Sequence, residues 1–123
     1  MAAPNILSAT SIYGKTTGAA LDTTTTTSLL ANGSGSNKLL KINSIIVANV
    51  DGTNSVNIDV AVNLSGDARF YLAKTVALPA DSTLVVIGKD SPIYLEEGDE
   101  LEARASAASD AELVVSYEIL DDA

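Results

Sequence analysis

The chain of 123 residues has no cysteine and no histidine. The first absence removes disulfides, thiolate metal sites and thiol nucleophiles together. The second removes the commonest general base, the usual partner of a catalytic serine and the usual zinc ligand. Serines and threonines remain, but they would need a lysine base or an N-terminal amine, and no lysine stands in a Ser-x-x-Lys context. Tryptophan is absent as well, and the aromatics come to four tyrosines and one phenylalanine, too few to line a cleft that stacks on sugars. No apolar run approaches the ~20 residues of a membrane helix. Met1 to Asn5 offer neither a basic region nor an apolar core, so no signal peptide is expected and the product is expected to be soluble and intracellular when made. There is no phosphate-cradling loop, because Asn32 to Asn37 lacks the lysine and the helix start that such a loop requires. The chain is therefore read as a non-enzyme that carries no cofactor.

What is present is β-patterning. In Ser55 to Leu64 the even positions Val56, Ile58, Val60, Val62 and Leu64 are all apolar, and the odd positions are polar or small. A period of two places the first set on one face of a strand, with a core on that side and water on the other. Further strands are expected at 38–50, 70–78, 84–87, 93–95, 101–107 and in a last stretch where Leu113, Val115, Tyr117 and Ile119 alternate with polar residues. The five threonines Thr23 to Thr27 suit an exposed strand. Lys15 to Ala20, flanked or interrupted by Gly14 and Gly18, reads as a loop, and Leu84 to Ile87 as a fully buried run. Asp51-Gly52 is a hairpin-turn signal between two strands. Turn signals every ten or so residues and no helical period predict an all-β fold: a single-domain antiparallel β-sandwich or jelly-roll-like barrel of about eight strands. Residues 1–22 are expected as an extended N-terminal arm or edge strand, and 23–123 as the β-sandwich domain.

The net charge of −9 is uneven. From Asp90 onward there are eleven acidic residues and one basic, Arg104, whereas the rest of the chain is near neutral. With no Lys/Arg cluster to neutralise phosphates, nucleic acid is not an expected partner, and neither is a membrane. The acidic third reads as a solvated face, with a basic partner or weakly held cations as the alternatives. Glu96, Glu97, Asp99, Glu100 and Glu102 could supply a carboxylate pair or a cation site, and Asn49, Asp51 and Asn54 a calcium site. Hydrated turns account for both groups as well, so no metal site is assigned.

Several residues stand out as candidates for a protein interface. Ile6, Leu7 and Ile12 are the apolar residues of the weakly patterned N-terminal segment, and Tyr13 joins them because tyrosine is favoured at interfaces. Lys38 to Val50 carries apolar residues on both parities, with Ile45 and Val47 opposite in phase to Ile42 and Ile46. This predicts a central strand covered on both sides, with Ile45 and Val47 facing a neighbouring subunit. Lys74 shares the parity of Phe70, Leu72, Val76 and Leu78. Either a bulge changes the register there, or Lys74 reaches a carboxylate across a subunit boundary.

Lys41 to Asn54, Leu72 to Leu84, Ile93 to Asp99 and the ending Val115 to Glu118 resemble a small virion structural protein of tailed phages, especially those of cyanobacteria and other aquatic bacteria. The likeness spans roughly residues 38–118 and rests on strand-and-turn patterns. It implies a virion component without catalytic residues, most nearly a capsid cement (decoration) protein. Such proteins assemble as homotrimers on the outside of the shell, and they bind the major capsid protein or another virion protein after synthesis in the bacterial host cytoplasm. Two alternatives remain: a neck, tail or baseplate adaptor, and a cation- or carbohydrate-binding β-sandwich module.

Overall fold

A computed structural model describes residues 9–22, 24–65 and 68–121. Among these the chain forms nine strands and no helix: β1 (Ser11–Ala20), β2 (Thr27–Ala31), β3 (Lys38–Asn49), β4 (Val56–Leu64), β5 (Ala68–Leu78), β6 (Thr83–Ile87), β7 (Ile93–Leu95), β8 (Glu100–Ala105) and β9 (Ala111–Asp121). They build two antiparallel sheets. One runs β1-β9-β3-β6, with the short β7 pairing with β3 beyond β6, and the other runs β2-β8-β4-β5. Consecutive strands alternate between the sheets early in the chain, and this strand order is that of a jelly roll.

Alternation explains the core. The inward residues of β4 (Val56, Ile58, Val60) and β8 (Leu101, Ala103, Ala105) meet those of β3 (Ile42, Ile45, Val47) and β9 (Leu113, Val115, Tyr117), all buried in one cluster. Burying each large aliphatic side chain contributes about 1.5–3 kcal/mol. The alanines of β8 lie at the centre of the four-stranded sheet, where small side chains let the sheets approach.

Four sequence expectations change here. The two-sided apolar pattern of 38–50 comes from a bulge rather than from a second covered face. The β3–β9 register shifts between Ile42 and Ser44, so the inward phase passes from Leu40 and Ile42 to Ile45 and Val47. Lys15 to Ala20 is not a loop but part of β1, paired residue for residue with β9. Gly14 and Gly18 fit because they lie on the outward face of an edge strand, where β-propensity gives way to good pairing. Thr24 to Thr26 precede β2, which starts only at Thr27. Asp51-Gly52 does not close a hairpin, because β3 and β4 belong to different sheets. Instead the Asp51 carboxylate accepts the Thr53 N–H at 2.8 Å and the Asn54 N–H at 3.3 Å, an Asx-type turn that carries the chain across the sandwich.

Candidate interaction surfaces

The outward residues of the five-stranded sheet form cross-strand rows. Val85 on β6 lies beside Ile46 on β3, Ile46 beside Val114 on β9, and Val114 beside Gly18 on β1. All three apolar side chains of this row are exposed, Val85 to 60%, Val114 to 42% and Ile46 to 36%. The next row is Ser44, Ser116 and Thr16, with the last two hydroxyls 3.1 Å apart. Charges flank the rows: Glu112 on one side, and Lys41 opposite Glu118 on the other. Between them the face is uncharged. A shallow hollow of about 250 Å³ opens beside Gly18, lined by Ala20, Glu112 and Val114. Leu84 to Ile87 is thus not wholly buried, because Val85 points outward.

The outer face of the four-stranded sheet is charged and closed on itself. Asp59 and Glu102 lie on outward positions yet are only 6% exposed. Asp59 accepts the Thr75 N–H at 2.6 Å and pairs with Arg104 at 3.3 Å and Lys74 at 3.6 Å. Glu102 accepts from Arg69 Nε at 2.8 Å. Burial acts to raise the Asp59 carboxyl, but the Thr75 N–H, Arg104 and Lys74 together outweigh it and hold it below the ordinary 3.8. The Arg69 hydrogen bond holds Glu102 below the ordinary 4.5 against the opposing effect of burial. Lys74 also sits 4.9 Å from the centre of the Tyr71 ring.

Three further acids act as loop latches. Asp99, 1% exposed, accepts the N–H groups of Ser65 and Glu96, each at 2.9 Å. Glu97 accepts the Asn37 N–H at 2.6 Å and Glu100 the Ser28 hydroxyl at 3.1 Å. Asn49, weighed as a calcium ligand, donates to the carbonyls of Asn54 and Leu78 at 3.0 Å each, and its own oxygen accepts the Asp51 N–H. Among the described residues no three acidic side chains converge as a metal site would require.

The structure scatters the interface candidates. Ile6 and Leu7 lie outside the described residues. Ile12 (57% exposed) and Tyr13 (43%) project from opposite faces of β1. Ile45 and Val47, expected at a contact between copies, are instead fully buried within the chain's own core, and the bulge before Ser44 is the cause. The outward residue of that stretch is Ile46. Lys74 faces Asp59 of its own chain, and the bulge weighed for it is present: Lys74 and Thr75 together oppose Asp59, with Thr75 at φ 52°. Sequence reasoning missed Ile46, Val85 and Val114 as a set, because they come from three strands whose register no local pattern reveals.

No protein-family model matches the chain, and no curated protein matches it. Among solved structures, a chain of the acidic stable capsid of Helicobacter pylori bacteriophage KHP30 is similar, at 10% identity over 94% of this chain and 91% of its own, with a TM-score of 0.50. A chain from the disulfide-linked pili of Bacillus endospore appendages shares 13% identity over 91% and 89% of the two chains, with a TM-score of 0.49. A pentameric capsid protein from metagenomic phage sequences shares 17% identity over 88% of this chain and 62% of its own, with a TM-score of 0.38. At such identities the likeness concerns the fold alone.

Proposed function

We propose that this chain is a structural protein of a virion, acting as a capsid cement (decoration) protein that binds major capsid protein subunits of the expanded head and stabilises it. The observation that carries the reading is the uncharged middle of the outer face of the five-stranded sheet. Its exposed row Val85, Ile46 and Val114 crosses three strands of the jelly roll. A flat apolar row rimmed by charge suits burial against another protein. The fold shared with a chain of a phage capsid supports the same direction.

In this reading the protein makes and breaks no covalent bonds. It is made in the host cytoplasm, joins the particle as a homotrimer, and adds to shell stability by mass action, because it binds the assembled state and not the dissociated one. Many copies then sum to a large mechanical effect.

Quantitative mass spectrometry of purified heads tests this. Hundreds of copies per particle are expected. About a dozen copies or fewer would move the protein to the neck, tail or baseplate, and absence from particles would end the virion reading. In parallel, Ile46→Asp is expected to leave a folded protein that no longer binds heads.

A further inference from the structure

We propose that β1 is a self-pairing edge: two copies of the chain join β1 to β1 antiparallel about a twofold axis at Thr16, fusing their five-stranded sheets into one continuous sheet.

The four edges of this sandwich are not alike. An unprotected edge strand offers a row of free N–H and C=O groups to any matching strand, and proteins blunt such edges with charge, bulges, proline or short length. Edge strand β5 carries Arg69 and Lys74 and two register breaks, one of them at Thr75 with its positive φ. Edge strand β2 has five residues and a register break between Ser28 and Leu30. On the β6 side the edge is divided between strands of five and three residues. By contrast β1 has ten residues, no proline, no register break against β9, and one charge, Lys15.

Its hydrogen-bonding phase follows from two neighbouring bonds. Leu21 N–H donates to the Ala111 carbonyl, and Val50 N–H to the Asp110 carbonyl. With the unbroken β1–β9 register, odd residues of β1 bond β9, and the even residues Ile12, Gly14, Thr16, Gly18 and Ala20 turn their N–H and C=O to the free side. No strand among the described residues covers that side.

A second copy fits this edge in one full register. Centred on Thr16, Ile12 faces Ala20 of the other copy, Gly14 faces Gly18, and Tyr13 faces Ala19. Bulky residues of the first half therefore lie over small residues of the second. All five even residues take part, giving about ten main-chain hydrogen bonds. Lys15 then opposes Thr17. A shift that centres the axis on Lys15 would place two lysines directly opposite, which is unfavourable. Charge also favours this edge for self-association. In a chain of net charge −9 the first acidic residue is Asp22, so β1 is an acid-free strip where two copies approach without repulsion. The contact is independent of shell binding. With the homotrimer proposed above, it joins copies of neighbouring trimers.

Sedimentation of the purified chain across a concentration series tests the pairing. An even number of chains is expected, two alone or six if trimers also form. Gly18→Pro removes one of the edge donors without touching the β9 ladder. A Cβ at Gly18 would meet only ordinary contacts, Leu113 O at 3.9 Å and Val114 Cγ2 at 4.0 Å. The variant should halve the mass while keeping the β-sheet circular dichroism. A wild-type chain that stays monomeric or trimeric at its highest soluble concentration overturns the proposal, and so does an unchanged mass for folded Gly18→Pro. Should that variant fail to fold, cysteine chemistry decides. Residues paired across such an axis have Cα atoms about 5.5 Å apart, within disulfide reach. In this cysteine-free chain, Thr16→Cys should form intermolecular cystine roughly tenfold faster or more than Val85→Cys, because pairing preassembles the thiols. Equal rates overturn it.

Discussion

On the four-stranded sheet the outward face buries two carboxylates, and on the five-stranded sheet the outward face exposes its apolar side chains. On the first, Ala61 leaves room in the middle, so Asp59, Glu102 and their partners Arg104, Lys74 and Arg69 fold down over the sheet and satisfy one another. On the second, Gly14, Gly18 and Ala20 of β1 leave nothing tall enough to cover Val114 or Ile46. A face that pairs its own charges has little left to offer a partner, whereas uncovered branched side chains gain by being covered. The acidic third reads from sequence as a solvated face, yet Glu102 within it is buried and paired with Arg69.

The largest effect expected from this contrast concerns two adjacent residues of β3. Ile45 is fully buried and Ile46 is exposed. An aspartate at position 45 would place a charge in the apolar core, a change of more than about 4 kcal/mol that takes a large share of a domain's stability. The same substitution at 46 should cost less than about 1 kcal/mol. Urea unfolding of both variants measures the difference. Equal stabilities would mean that the bulge before Ser44 is misplaced and that the exposed row does not exist.

A smaller loss is expected on the charged face. Asp59→Ala removes the acceptor of the Thr75 N–H together with the partner of two cations. Because Lys74 and Arg104 are each about half in water, the ion pairs contribute little, and most of the loss is the stranded N–H. About 2 kcal/mol is expected from urea unfolding. Lys74→Met should change stability by only a few tenths of a kcal/mol. If the two variants were equally destabilised, the ion pair rather than the backbone bond would be holding the bulge.

The same face contributes to the acid sensitivity of the fold. Asp59 and Glu102 are held below their ordinary values, so they bind protons less readily folded than unfolded. The stability they contribute is complete above the unfolded values of 3.8 and 4.5, and it is lost as pH falls through the folded ones. Urea midpoints should therefore stay level from neutral pH to about pH 5 and decline below pH 4.5. Glu102→Gln should make that decline shallower. An identical decline would show that Glu102 is not held low by Arg69.

How far the sequence carried these conclusions depended on whether parity ran unbroken. Residues 56–62 and 111–119 keep one phase along most of their length, so their inward sets were readable from residue types. In β3 a bulge reversed the phase between Ile42 and Ile45, and a bulge of this kind has no side-chain signature. The glycines of β1 gave a turn signal, yet ten continuous pairings with β9 outweighed local preference. Asp51-Gly52 identified a turn correctly, but turn chemistry does not say which sheet the next strand joins. The exposed row was out of reach for the same reason. Val85, Ile46 and Val114 become neighbours through registers between strands far apart in sequence.

A small gain, rather than a loss, tests the charged face from the other direction, by relieving it. Thr75 has a β-branched side chain at φ 52°, in the left-handed region where such residues are rarely found. That conformation costs roughly 1–2 kcal/mol for an L-residue, and glycine adopts it without strain. Thr75→Gly gives back part of this through its greater freedom when unfolded, so a net gain of about 0.5–1 kcal/mol is expected. The substitution keeps the N–H that Asp59 accepts, so the gain should persist in Arg104→Met and disappear when combined with Asp59→Ala. If glycine destabilised the protein, the strain would be imaginary. If the gain survived the loss of Asp59, the bulge would be fixed by the β4–β5 ladder alone, and the closed face would owe its shape to backbone register rather than to its buried acid.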